Sequence, residues 1–162
     1  MSVADHDSVP AVEFATLVFE HELPADVGAV FAAFADARLR AAWGAPSETA
    51  IVIYDAEDFR EGGIDRFRCG PKQDPHIHGT THYLEIVGNR RIVSSETLAA
   101  GGRRLCASLT TVELAPGGQG TRLRSTTQLA SFVGAAMVDG HRQGHAASLD
   151  KLVRHFGGRG GA

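Results

Sequence analysis

The chain is predicted to fold as an α+β domain. A curved antiparallel sheet of seven strands wraps on one long C-terminal helix, and two short helices follow the first strand. Three observations carry this expectation. Alternating runs of strand length succeed one another with only short turn signals between them, the pattern of antiparallel hairpins. Glycine is abundant, at 19 of 162 residues, and a Gly in a helix interior costs ~1 kcal/mol relative to Ala, so such a sequence favours turns. The one long helical stretch with an apolar stripe stands at the end of the chain, after the strands.

The elements follow in order. Residues 1–12 lack periodicity and residues 157–162 read GGRGGA, so both are expected to be flexible tails around a single domain over 13–156. EFATLVFEHEL (13–23) alternates as a strand, with Phe14, Thr16 and Val18 on one face and Leu17 and Phe19 on the other. Pro24 ends it. Residues 25–43 place Val27, Val30, Phe31, Phe34 and Leu39 at helical spacing, with Asp26 at the positive N-terminal end. Asp36 breaks this stretch and caps a second short helix that stops at Trp43-Gly44. Strand signals then recur at 49–56, 64–70, 77–87, 91–99, 103–115 and 121–130, each bounded by Gly, Pro or Asn. A helix over about 137–156 aligns Val138, His145, Leu149, Leu152, Val153 and Phe156 in one stripe. A straight helix cannot follow a bent sheet, so a cavity is expected between them, and such cavities take small ligands.

Composition narrows the function. An apolar content of 43%, 22% charged residues and this length suit one domain with its own core, which removes disorder, collagen and coiled coil. A net charge of -3 and a pI near 6.2 argue against a nucleic-acid partner, which calls for a basic face. No run reaches the ~20 apolar residues of a membrane span, and the N-terminus lacks a signal pattern, so the chain is expected in the cytoplasm. Cys69 and Cys106, both within strand-like runs, read as small buried residues and not as a disulfide or metal pair.

At this point the residues resemble a known superfamily. The opening FEHELPADVGAVFAAFADARLRAAWGAP, then FREGGIDRFRCG, HGTTHYLEIVGNRRIVSSETL, TTVELAPGGQGTRLRSTTQL and GHAASLDKLVRHF are similar to START-like (SRPBCC) domains. The likeness is specifically to the group related to the C-terminal domain of the activator of heat-shock protein 90 ATPase. The resemblance implies a helix-grip fold with a central pocket, as in the birch pollen allergen. It does not imply one activity, since such proteins include ligand carriers and cyclase components. Nor does it extend to chaperone activation, which in the eukaryotic protein depends on an additional N-terminal domain. Two departures stand out. Gly88-Asn89 replaces a proline after the fourth strand, a turn variant. Gly144-His145 stands where the last helix usually reads Gly-Trp, which puts a titratable ring where an indole would fill the pocket.

Alternation assigns side chains to the pocket. With Leu84 and Ile86 facing the core, His78, Thr80 and His82 share their face, and inward Ile92 carries Ser94 and Glu96 with it. His141 and His145 are four apart on the last helix, beside its buried stripe. Helical imidazoles at that spacing can share a Zn²⁺. However, His78 and His82 are ~13 Å apart along a strand and cannot both reach one ion, and HxxxH without HExxH is a weak signal. No metal or cofactor is therefore expected. General acid–base work by His82, His145 or Glu96 is the sharper alternative to rings that simply line a partly polar pocket.

Trp43, Phe67, Phe132 and Met137 join the candidate ligand box, the last two in SFVGAAM, where Gly134 would hinge a lid. Arg66, Arg68, Arg122 and Arg124 read as a solvated outer face with Glu85 and Glu113. No Gly-rich phosphate loop or nucleophile elbow is present. The expected function is binding of a small apolar or aromatic molecule between sheet and helix. A pocket enzyme of cyclase, dehydratase or hydrolase type and a protein-interaction module are the alternatives, with a second copy of the chain as a further candidate partner.

Overall fold

In the computed structural model, which describes residues 9–157, strand β1 (Glu13–Leu23) turns Leu17, Phe19 and Leu23 inward and leaves Phe14 and Val18 exposed. The two short helices are α1 (Val27–Ala35) and α2 (Ala37–Gly44). Asp26 caps the first, its Oδ1 accepting from the Ala29 amide at 2.8 Å. Asp36 caps the second, accepting from the amides of Arg38 and Leu39 at 2.8 and 3.3 Å. Each cap stabilises by about 1 kcal/mol by satisfying helix N–H groups that have no partner within the helix.

Six more strands follow: β2 (Ala50–Ala56), β3 (Ile64–Pro71), β4 (Ile77–Val87), β5 (Arg91–Ala100), β6 (Arg103–Gly117) and β7 (Gly120–Ser131). They form an antiparallel meander, and β1 closes on β7, so the sheet order is β1-β7-β6-β5-β4-β3-β2. The pair α1–α2 thereby carries the chain from one sheet edge to the other. Asn89, at φ 59, makes the tight turn between β4 and β5. Helix α3 (Ala135–Gly157) lies across the inner face. Ser148 Oγ donates to the Gly44 carbonyl at 2.9 Å, and Lys151 Nζ donates to the carbonyls of Ala45 and Ser47 at 3.1 and 2.8 Å. These bonds tie α3 to the C-terminal end of α2, where free carbonyls favour a cation.

The core is split. One cluster gathers Leu23, Val30, Phe34, Tyr83, Ile92, Leu114, Leu123, Leu149 and Leu152; the other, smaller, centres on Cys106, Leu129 and Val138. Between them the inward positions of the sheet turn polar: Thr81 on β4, Ser94 and Glu96 on β5, Ser108 and Thr110 on β6, Ser125 and Thr127 on β7. The strand register makes this a continuous band, pairing Thr81 with Glu96, Glu96 with Ser108, Ser94 with Thr110 and Thr110 with Thr127. Polar groups in the middle of an inner face must find partners or a cavity.

The outer face carries several exposed ion pairs. Arg68 holds Asp55 through two bonds of 2.9 Å, Arg91 holds Glu85 at 2.7 and 3.0 Å, and Arg124 and Arg122 lie 3.7 and 4.0 Å from Glu20 and Glu22. Exposed pairs of this kind contribute little to stability.

Candidate functional site

The polar band opens into a cavity of two joined compartments beneath α3. The inner chamber has a volume of about 160 Å³ and reaches the hydroxyls of Thr81, Ser94, Ser108, Thr110 and Ser125. The outer vestibule has about 440 Å³ and is walled by Val52, Phe67, Cys69, Ile77, Leu98 and Met137. Trp43, Tyr54, Glu96, His145 and Ser148 line both and form the junction. Trp43 is fixed there, its indole N–H donating to the Ala33 carbonyl at 3.0 Å and its ring meeting Phe34 edge-on.

Beside the chamber lies a buried charge cluster. Asp65 is 1% exposed and accepts from Arg40 at 2.8 Å, from the Tyr83 hydroxyl at 2.5 Å and from the Asp58 amide at 2.8 Å. Arg40 also donates to the Tyr54 hydroxyl at 3.2 Å and to the Phe34 carbonyl, and its guanidinium stands 4.8 Å from the Tyr54 ring centroid. Burial works against the Arg40 charge, yet Tyr54, Tyr83 and Asp65 together hold its pKa above the usual value. Four partners on one carboxylate and its cation satisfy the pair, which is what a buried ion pair requires.

Glu96 is different. Its carboxylate has one hydrogen-bond partner, the Thr81 hydroxyl at 3.2 Å, and faces the cavity from the middle of the sheet. Burial pushes its pKa up to about 7, against the smaller opposing effect of that bond. On the opposite wall burial drives His145 down to about 4, helped by the neighbouring His141 imidazole, whose ring centroid is 4.8 Å away. His141 is lowered by burial as well. The His145 Nδ1 is buried without a partner, and the ring meets Phe19 edge-on at 6.2 Å. Burial raises the Cys69 and Cys106 thiols to about 11, so neither is a ready nucleophile.

Of the sequence candidates, Trp43, Phe67, Glu96, Met137, His141 and His145 line the cavity. His78 and His82 do not. Both are exposed on the outer face, and Leu84, at 54% exposure, is outward too. The cause is a β-bulge between Tyr83 and Glu85 that inverts the alternation. Ile86 does pack on the core, but counting back from it by twos crosses the bulge and reaches the wrong face. Phe132 also falls outside the cavity lining. The inward residues of β7 are odd-numbered, and Phe132 lies one past the last of them, with its amide bonded to the Leu105 carbonyl at 2.9 Å. The hinge expected at Gly134 has the positive φ, 95°, that suits glycine. It is clasped by the buried Ser131 hydroxyl, which donates to the Gly134 carbonyl at 2.8 Å and accepts from the Val133 amide at 3.3 Å. The expected N-terminal tail lies outside the described residues except for 9–12, and the C-terminal one except for 157, the last residue of α3.

Sequence reasoning missed Arg40, Tyr54, Asp65 and Tyr83. A signal existed for Asp65: by the period of two it shares the face of Phe67 and Cys69, and an inward carboxylate demands a cation. Its partner on α2 could not be read from local pattern. Among the described residues no group of three His, Cys, Asp or Glu side chains is placed to hold a metal ion, and no helix is long and apolar enough to cross a membrane.

A curved antiparallel sheet closed by a C-terminal helix over a cavity, with two short helices after strand 1, is the helix-grip architecture of START-like (SRPBCC) proteins. Residues 24–157 match the model of the family described as activator of Hsp90 ATPase homolog 1-like protein, and the chain belongs to that family. It is similar to a protein of Rhizobium leguminosarum of known structure, with 32% identity and a TM-score of 0.78 over 88% of this chain and 93% of that one. The Mll3558 protein from Rhizobium loti is 35% identical, with a TM-score of 0.78 over 89% and 98% of the two chains. Protein CV1439 from Chromobacterium violaceum, at 24% identity and a TM-score of 0.77 over 87% and 96%, shares the fold. No curated protein matches the sequence.

Proposed function

We propose that the protein binds one small, mostly apolar or aromatic molecule in the cavity between the sheet and α3. The observation that carries this reading is the sequence of linings. An apolar vestibule leads past Trp43 and Tyr54 to a chamber of hydroxyls, and the strands interrupt an otherwise apolar inner face to build it. Filling that band with Val or Leu would give a better core, so its polarity costs stability that a ligand would restore. Together the compartments suit a drug-sized molecule, its apolar body outside and its polar end within.

The test is native mass spectrometry of protein purified gently from its own host. A fraction heavier than the 17.1 kDa chain by one small molecule is expected. Adding back the extracted compound at a hundredfold excess over Kd should stabilise the fold by about 2.7 kcal/mol. A bare chain mass, together with an unmoved melting temperature across a panel of apolar and aromatic compounds, would sink the reading.

One observation favours a second reading. A carboxyl poised near neutrality opposite an imidazole is a proton-transfer arrangement, and Glu96 and His145 stand at the junction together. An enzyme using them would lose turnover of the extracted compound in His145→Phe while keeping its fold. A carrier would show no turnover in either protein.

A further inference from the structure

We infer that the polar end of the ligand is a protonated amine, held at the junction by the Glu96 carboxylate, with the His145 imidazole and the rings of Trp43 and Tyr54 around it. The inference rests on the cavity-binding reading above and adds the ligand's charge. Charge accounting inside the cavity carries it. Among the described residues Arg40 is the single Arg or Lys side chain lining either compartment, and it is consumed by Asp65, the Tyr54 hydroxyl and the Phe34 carbonyl. A carboxylate or phosphate ligand would find no counter-charge. Glu96 has the opposite problem, since among the described residues its carboxyl meets the cavity with one neutral partner and no cation.

The remaining polar groups are neutral, chiefly hydroxyls that can accept or donate. His145 lines both compartments, and burial holds its ring neutral, so it sets no competing positive charge beside Glu96. Trp43 and Tyr54 line the junction and Phe67 the vestibule, and aromatic rings are compatible with a cationic head on an apolar body. An ammonium on an apolar or aromatic body supplies the positive charge that this set lacks.

The site should therefore answer to pH. Around Glu96 stand Tyr54 on β2, Asp65 and Cys69 on β3, Tyr83 on β4, Cys106 on β6, Arg40 on α2, and His141 and His145 on α3. Asp65 and Arg40 neutralise each other. Burial keeps both phenols and the thiols protonated and both imidazoles neutral around pH 7. Glu96 is left as the group that changes charge there. An ammonium binds only its ionised form, so binding releases a proton and affinity rises with pH until Glu96 is ionised without help.

The experiment compares three probes on one scaffold, phenylbutylamine, phenylbutanol and phenylbutanoate, by titration calorimetry with the full chain. The amine should bind best at about pH 8 and lose on the order of tenfold in affinity at about pH 5.5. The alcohol should be weaker and the carboxylate weakest. Glu96→Gln should abolish the amine's preference over the alcohol and its pH dependence, with a cooperative urea transition reporting that the variant is folded. Equal binding of alcohol and amine at pH 8, or an amine affinity that survives Glu96→Gln, would overturn this inference and leave the cavity reading standing. Failure of all three probes to bind at millimolar concentration would overturn both.

Discussion

Glu96 and His145 are titrated by the fold in opposite senses, and this sets the first prediction. Glu96 moves from an ordinary 4.5 up to about 7, so the folded state holds that proton more tightly than the unfolded one. Its contribution is full below pH 4.5 and is lost as pH rises through 7. His145 moves from 6.5 down to about 4. Its neutral form is favoured by the fold, so stability is full above pH 6.5 and is lost as pH falls through 4. Between about 4.5 and 6.5 the two slopes oppose each other, and the wild-type profile should be nearly flat. His145→Phe should unmask a decline from pH 5 to 8 on the order of 2–3 kcal/mol, and Glu96→Gln a rise of similar size from pH 4 to 7. Urea unfolding across that range reads both, and profiles that match wild type in both variants would contradict the assignment. Of these two residues the sequence revealed the inward face of each, because β5 alternates regularly from Ile92 and α3 keeps its stripe. It did not reveal that they stand on opposite walls of one junction, which depends on how α3 crosses the sheet.

At the scale of elements, β4 shows how a local irregularity decides chemistry. Its bounds, Ile77 to Val87, follow from composition and flanking turns, but the bulge at Tyr83–Glu85 adds one residue and reverses the faces around it. The same strand carries Gly79, over which the Phe67 ring of β3 lies flat enough that an added Cβ would fall 2.0 Å from Phe67 Cζ. Gly79→Ala must therefore push the ring aside into the vestibule it lines. The expected cost is about 1–3 kcal/mol in denaturant unfolding, with weaker uptake of any vestibule ligand, whereas Thr80→Ala on the opposite face should be nearly silent. A neutral Gly79→Ala would mean that the ring has room to withdraw without entering the cavity. The helix break at Asp36, by contrast, was fully legible, because capping is a contact between residues two and three apart.

For the whole molecule, the split core is the feature that matters. A sheet this long could bury one continuous apolar face, yet hydroxyls and Glu96 occupy the middle of four adjacent strands. Replacing Ser94 and Ser108 together with Val should fill part of the inner chamber and strengthen two strands, at about 0.5–1 kcal/mol each. The double variant should melt several degrees higher and lose any co-purifying small molecule in native mass spectrometry. A lower melting temperature would show that the two hydroxyls are needed for stability, and the trade between core and cavity proposed here would fall.

The sequence by itself determined the kind, order and approximate bounds of every element, the Asp36 cap of the second short helix, and the inward faces wherever a strand keeps its period of two. Those are local properties, written in spacings of two to four residues. Only the tertiary structure decided that β1 closes on β7, that α1 and α2 bridge opposite edges of the sheet, that Arg40 meets Asp65, and that His78 and His82 face outward. The reason is physical. Pairing across about a hundred residues, and a bulge that shifts a register by one, depend on which surfaces can be buried together, and no short spacing encodes that choice.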